Sequence, residues 1–203
     1  MNRITFFIDG FNLFHSLDDV PEYHKYKWLD LSKLAKKFVT QKDTIKDILY
    51  FTALTTWNLE KTQRHQLYIK ALELNNVKVI YGKFRKKYPK CPLCHKKYTT
   101  HEEKRTDVNI AIHLFELAFK DEYDTAAVIT GDSDLIPSIK AVSSIFTSKT
   151  IWLIIPIGRD AKELINCCDK HMRIKEKHLQ SSLFPPEIKL NDTNKLICPP
   201  RWK

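Results

Sequence analysis

Four aspartates in this 203-residue chain, Asp9, Asp107, Asp132 and Asp134, have the side-chain type and the setting to hold a divalent cation. Asp9 ends the apolar run Ile4-Thr5-Phe6-Phe7-Ile8 and is followed by Gly10-Phe11-Asn12. Asp132 and Asp134 lie in Thr130-Gly131-Asp132-Ser133-Asp134, directly after Ala126-Ala127-Val128-Ile129, and Asp107 opens a long helical pattern. If the two apolar runs are neighbouring strands of one parallel sheet, their C-terminal ends gather these carboxylates around a single crevice. Carboxylates held so close repel one another unless a cation sits between them. Mg²⁺ and Mn²⁺ favour hard oxygen ligands and keep several waters, so such a crevice suits metal-dependent cleavage of a phosphodiester. Each aspartate alone has a plainer reading, since Asp132-Ser133-Asp134 before Leu135-Ile136 is also an acceptable helix-capping segment. The conjunction carries more weight: at both strand ends a glycine stands beside an acid, where backbone is expected to approach a ligand closely.

The elements that must position these acids follow from hydrophobic patterning. Strands are predicted at 3–8, 46–53, 77–81, 124–130 and 149–155, with a short one at 170–174, each rich in Ile, Val, Phe or Tyr as buried strands are. Helical periods lie between them: Leu31, Leu34, Ala35 and Phe38; Leu67, Ala71 and Leu72 within 59–75; Val108, Ala111, Ile112, Phe115 and Phe119 within 106–120. A weaker pattern with Ile136 and Ile139 has Ser133 as its N-cap and Pro137 in its first turn. Alternation of strands and helices predicts an α/β class, Rossmann-like in three layers, with a central, mostly parallel sheet of about five or six strands. In such sheets ligands bind beyond the strand ends where the strand order reverses, which is where Asp9, Asp132 and Asp134 fall. Asp107 at a helix N-terminus has the positive end of the dipole beside it, and Glu103, four residues earlier, would share its face if that helix began early.

Residues 82–105 break the alternation. They carry nine Lys or Arg against two Glu, most of the net charge of the chain, and read as an insertion between the third strand and the next helix. Arg85, Lys86, Lys87, Lys90, Lys96 and Lys97 are interleaved with Phe84, Tyr88 and Tyr98. Cations that neutralise phosphates beside aromatics that stack on unpaired bases are the usual means of gripping a single strand; a merely solvated basic loop is the plainer alternative. The same insertion holds Cys91-Pro92-Leu93-Cys94, with His95 and His101 nearby. Cys91, Cys94 and His101 make three ligands of a structural Zn²⁺ site, and the fourth is left open among His95, His65, Cys167, Cys168 and Cys198. An unmetallated thiol pair and a redox pair are the alternatives, the second disfavoured because the pair does not start a helix.

A formal charge of +10 and a pI near 9.3 favour a polyanionic partner. Five cysteines without an apparent secretory signal argue against a disulfide framework. The longest apolar run, Ile151 to Ile157, falls far short of the roughly 20 residues that cross a bilayer. No membrane role and a cytoplasmic location are therefore expected. Residues 1–180 are expected to form the main domain and 181–203, with Pro185-Pro186 and Pro199-Pro200, an extended tail. His15 and His113 are read as packing or surface residues, and Trp28, Trp57, Trp152 and Trp202 as core or docking residues.

Ile8-Asp9-Gly10-Phe11-Asn12, the segment Glu102-Glu103-Lys104-Arg105-Thr106-Asp107-Val108-Asn109-Ile110-Ala111, and Thr130-Gly131-Asp132-Ser133-Asp134-Leu135 resemble the NYN domain family of the PIN-like nuclease superfamily. The resemblance runs from about residue 3 to 174. It implies a Mg²⁺- or Mn²⁺-dependent ribonuclease in which Asp9, Asp107, Asp132 and Asp134 hold the metal and Asn12 positions the substrate phosphate or a water. Water rather than the ribose 2′-OH would then be the nucleophile, leaving a 5′ phosphate and a 3′ hydroxyl. RNA, in single-stranded form, is the expected partner. The alternatives are an RNA-binding or scaffold module without turnover, and a toxin-like nuclease held by a partner protein. A phosphatase using Asp9 as nucleophile is disfavoured, because Phe11 stands where its acid would.

Overall fold

In the computed structural model, which describes residues 1–191 and 193–202, the chain runs β1 (Asn2–Asp9), α1 (Gly10–Asp18), α2 (Leu31–Lys36), β2 (Asp43–Thr52), α3 (Leu59–Leu74) and β3 (Lys78–Tyr81). There follow β4 (Lys83–Lys87), β5 (Thr100–Lys104), α4 (Thr106–Phe119), β6 (Thr125–Ile129), α5 (Ile136–Ile145), β7 (Thr150–Ile155), α6 (Lys162–Ile165) and β8 (Lys170–Arg173). The C-terminal part adds α7 (Glu176–Gln180), β9 (Glu187–Lys189) and β10 (Lys195–Ile197).

Six strands form one sheet in the order β3-β2-β1-β6-β7-β8, and every pairing in it is parallel. The strand order reverses between β1 and β6, so the expected α/β three-layer architecture places its switch point where Asp9 and Asp132 leave the sheet. The two-residue period of β1 feeds both cores: Ile4, Phe6 and Ile8 pack with α1, α2 and α3, while Phe7 packs with α4 and α5. Cover on both faces is the reason its sequence is almost unbroken in apolar residues.

Two elements depart from the sequence pattern. α1 has only Leu13 and Leu17 as its buried apolar stripe, too short a period to announce itself. Its start is fixed instead by Asp9, whose side chain accepts from the Asn12 amide. In α4, the face expected to be core is outside: Val108, Ile112 and Phe119 are 58%, 54% and 74% exposed. Ile110, Leu114 and Ala118 are buried in their place. The helix is apolar around most of its girth, so two faces satisfied the same period and only its attachment to the sheet chose between them.

The insertion forms an antiparallel hairpin of β4 and β5, a separate two-stranded sheet that follows β3 and leads directly into α4. The C-terminal segment returns across the α1–α3 side: Phe184 N–H donates to the Trp28 carbonyl, Trp28 Nε1 donates to the Pro185 carbonyl, and the Trp202 ring packs on Trp28 and Tyr68. Among the described residues no helix is long and apolar enough to cross a membrane.

Candidate functional site

Asp9, at the C-terminal end of the central strand, is buried and held from both sides: Oδ1 accepts from the Asn12 amide at 3.0 Å and Oδ2 from Thr130 Oγ1 at 2.9 Å. Thr130, the residue after β6, also accepts at Oγ1 from the Asp132 amide at 3.0 Å. Asn12 Oδ1 accepts from the Gly131 amide at 2.9 Å, so α1 and the β6 exit are laced together. Asp132 in turn caps the short helical turn Ser133–Leu135, accepting from the Asp134 amide. The capping role expected for this segment and a place in the crevice are thus filled by the same side chain.

Asp107 enters from the start of α4. It follows Arg105, whose left-handed backbone (φ 82°) turns the chain out of the hairpin and into the helix. Ligand-type oxygens of Asp9, Asp107 and Asp132 lie within 4.8 Å of one another, the one such group of three among the described residues. Asp134, expected as a fourth member, is exposed and stands outside this set. Glu103 of β5 lines the crevice with the three aspartates in its place. Its place within β5, before the left-handed turn at Arg105, puts it there rather than an early helix start.

Burial and mutual repulsion show in the acidities. Asp9 is pushed up to about 6, first by burial and then by Asp107 and Asp132, against the Asn12 and Thr130 hydrogen bonds that favour its ionised form. Glu103 is pushed up to about 7 by burial and by the charges of Asp9, Asp107 and Asp132. Asp107 is raised by burial, Asp132 and Asp134. Glu103 Oε1 is buried with no partner among the described residues. An all-oxygen donor set with an orphaned carboxylate oxygen fits a hard divalent cation such as Mg²⁺ or Mn²⁺.

Arg159, just beyond the end of β7, also lines the crevice and reaches Asp19 at 3.0 Å. Sequence reasoning missed it, although its place after a parallel strand was a signal for the same end of the sheet. His15, read as a packing or surface residue, lines the crevice too. Packing alone requires both glycines. A Cβ on Gly10 would lie 2.6 Å from the Phe51 carbonyl oxygen and 2.7 Å from the Tyr50 ring. A Cβ on Gly131 would lie 3.0 Å from Arg159 Cβ.

On the hairpin, Arg85, Lys86, Lys87, Lys90, Lys96 and Lys97 are all exposed. Lys86 Nζ sits 5.2 Å from the Tyr88 ring centre and Lys87 pairs with Glu102. Cys91 and Cys94 occupy the hairpin's tight end, where backbone amides of Cys94 and Leu93 hold the Cys91 thiol below its usual pKa. His101 is not brought to them: its ring stacks on Trp57 with centres 3.5 Å apart and planes 7° apart. The expected Cys91–Cys94–His101 trio is therefore not assembled, because β-pairing of His101 with Lys86 sends its side chain to the body of the protein.

Beside the acid crevice, and sharing Phe11, His15 and Glu103 with it, opens a cavity of about 740 Å³ between α1, α3 and the C-terminal Trp202.

Among known proteins, the chain is similar to 6-hydroxy-3-succinoylpyridine 3-monooxygenase HspA of Pseudomonas putida, at 21% identity over 88% of this chain and 67% of that protein. The fold is shared with a Vibrio parahaemolyticus protein of unknown function, at a TM-score of 0.58 and 15% identity, covering 90% of this chain and 96% of that one. Residues 3–175 match the model of the NYN domain, and the chain belongs to the NYN domain family.

Proposed function

We propose that this protein is a metal-dependent ribonuclease that hydrolyses RNA phosphodiesters at the crevice of Asp9, Asp107 and Asp132. The observation that carries the reading is the convergence of three carboxylates from β1, α4 and the β6 exit within 4.8 Å, next to an exposed cationic hairpin. Membership of the NYN family supports a nuclease-like fold. Asp9, Asp107 and Asp132 would hold Mg²⁺ or Mn²⁺, with Glu103 beside them. When bound, the cation supplies charge neutralisation at the phosphate and makes water more acidic.

The chain's own residues supply the rest. Thr130 and Asn12 lock Asp9 in one orientation, so no reorganisation is needed when substrate arrives. Arg159, half-buried, offers a guanidinium to a phosphate oxygen in exchange for its pair with the exposed Asp19. Glu103, beside the three ligands, offers a carboxylate that can take up or release a proton within the crevice. The lysines of the hairpin draw in the backbone and Tyr88 and Tyr98 offer faces for unpaired bases.

The test is incubation of purified protein with end-labelled RNA and DNA, with Mn²⁺, with Mg²⁺ or with chelator, beside Asp132→Asn. Metal-dependent RNA cleavage, lost in the folded variant, is the expected result. Cleavage unchanged in Asp132→Asn overturns the assignment. RNA binding without cleavage under any metal favours the alternative, a binding module without turnover.

A further inference from the structure

The cavity beside the acids has features that the metal crevice does not use. Its walls are apolar and aromatic: Phe14 of α1, Tyr50 of β2, Tyr68 of α3 and Trp202 from the C-terminal segment. Two of its interior polar sets, Thr52 with His65 and Lys27 with Asp18, are already paired, while Glu103 stands on the side shared with the acid crevice. Thr52 Oγ1 meets His65 Nε2 at 3.2 Å, and burial holds the His65 imidazole down to about 4, so it is uncharged at neutral pH. Lys27, with a side chain only 5% exposed, pairs with Asp18. Net positive charge is concentrated in Lys61, Arg64 and Arg201, which also line it. Arg64, half-buried, pairs at i,i+4 with the exposed Glu60 at 3.5 Å, a contact that it can exchange for a better anion.

A volume of about 740 Å³ lies within the range of small-molecule sites and exceeds what a bare heterocycle fills. Aromatic walls, interior hydrogen-bonding groups and three cations match a planar heterocycle joined to a sugar and an anion. Continuity through Phe11, His15 and Glu103 places that ligand next to the acids.

We propose that this cavity takes up one whole nucleotide of the substrate strand, base enclosed and phosphate on Lys61, Arg64 and Arg201, so that the neighbouring phosphodiester reaches the acid crevice. The proposal rests on the ribonuclease reading and adds to it a nucleotide-selective subsite. The enzyme then engages an unpaired nucleotide rather than a paired one, because a base inside the cavity has left its stack. The C-terminal segment becomes part of the substrate site, since Trp202 and Arg201 complete it.

The experiment is calorimetric titration in chelator of nucleoside 5′-monophosphates, the corresponding nucleosides and ribose 5-phosphate into wild-type protein and into a Lys61→Glu, Arg201→Glu double variant. Both replaced side chains are exposed, and circular dichroism checks that the variant folds. The expected result is saturable 1:1 binding of a monophosphate at least tenfold tighter than of either fragment. The charge reversal should weaken monophosphate binding at least tenfold while nucleoside affinity stays unchanged. Ribose 5-phosphate binding as tightly as the monophosphates, no saturable binding, or an unaffected double variant overturns the proposal. Nicotinate displacing a bound monophosphate with higher affinity would overturn it in favour of a small heterocyclic acid. Because chelated protein is titrated without turnover, nucleotide binding succeeds or fails independently of whether RNA is cut.

Discussion

Thr130 Oγ1 donates to Asp9 Oδ2 at 2.9 Å while accepting from the Asp132 amide at 3.0 Å. One hydroxyl thus fixes two of the three crevice acids, one at the end of each strand flanking the switch point. Groups that orient ligands in this way typically change metal affinity or activity by roughly 10–100-fold when removed. Thr130→Val keeps the volume and removes the hydroxyl. It is expected to weaken Mn²⁺ binding, read by titration calorimetry, by a factor in that range with circular dichroism unchanged. Wild-type affinity in the variant would show that Asp9 is held without Thr130.

Glu103 joins the three aspartates in the crevice, and Asp134, expected there, is exposed and outside their group of three. Glu103→Gln is therefore expected to lower RNA cleavage by roughly 10²-fold, the scale of a missing acid–base group, while Asp134→Asn leaves it nearly intact. The reverse order in a single-turnover assay would return Asp134 to the site.

Asp9 and Glu103 ionise near 6 and 7 in the folded, metal-free protein, against about 4 for carboxylates in an unfolded chain. A raised carboxylate stabilises the fold below its unfolded value and loses that contribution as pH rises through the folded one. The chelated protein should lose melting temperature between about pH 4 and 7 through these two groups. Metal binding requires the ionised acids, so the gain in melting temperature on adding Mn²⁺ should grow across the same window. Differential scanning fluorimetry at about pH 5.5 and about pH 8 brackets the upper part of that window and measures both effects. A metal-induced gain that is larger at the lower pH contradicts the site.

Gly10→Ala inserts a methyl group against the Phe51 carbonyl and the Tyr50 ring. Overpacking against backbone costs about 1–3 kcal/mol, which for a chain of this size is a fall of roughly 2–4 °C per kcal/mol. A melting temperature equal to wild type would mean that α1 can slide away from β2.

Replacing Lys86, Lys87 and Lys90 with Ala should weaken RNA binding and reduce the slope of log affinity against log salt by roughly 0.7 for each phosphate no longer neutralised. Lys87 is already paired with Glu102, so the triple variant should fall short of three such steps. An unchanged slope in filter-binding or anisotropy titrations would make the hairpin a solvated surface.

The central strands of the sheet, β1, β6 and β7, are readable from the order of residues, because strands covered on both faces are apolar along most of their length and are hard to mistake in alternation with helices. Asp9, Asp107 and Asp132 were legible for a related reason: an acid at the end of a buried strand or the start of a helix has a place in such a fold before any coordinates exist. Rotation of elements and long-range register lie beyond local pattern, and packing in three dimensions settled them. It chose between two apolar faces of α4, exposing Ile112 and burying Ile110, since one helical period fits both. It put Glu103 in the crevice, through a left-handed turn at Arg105 whose side chain gives no hint of it, and it left Asp134 outside the group of three acids. It took His101 from the cysteine pair by registering it opposite Lys86, and it closed the cavity with Trp202, from nearly the far end of the chain. Local pattern fixes an element's type, but which side chains meet is set by the packing of elements far apart in sequence.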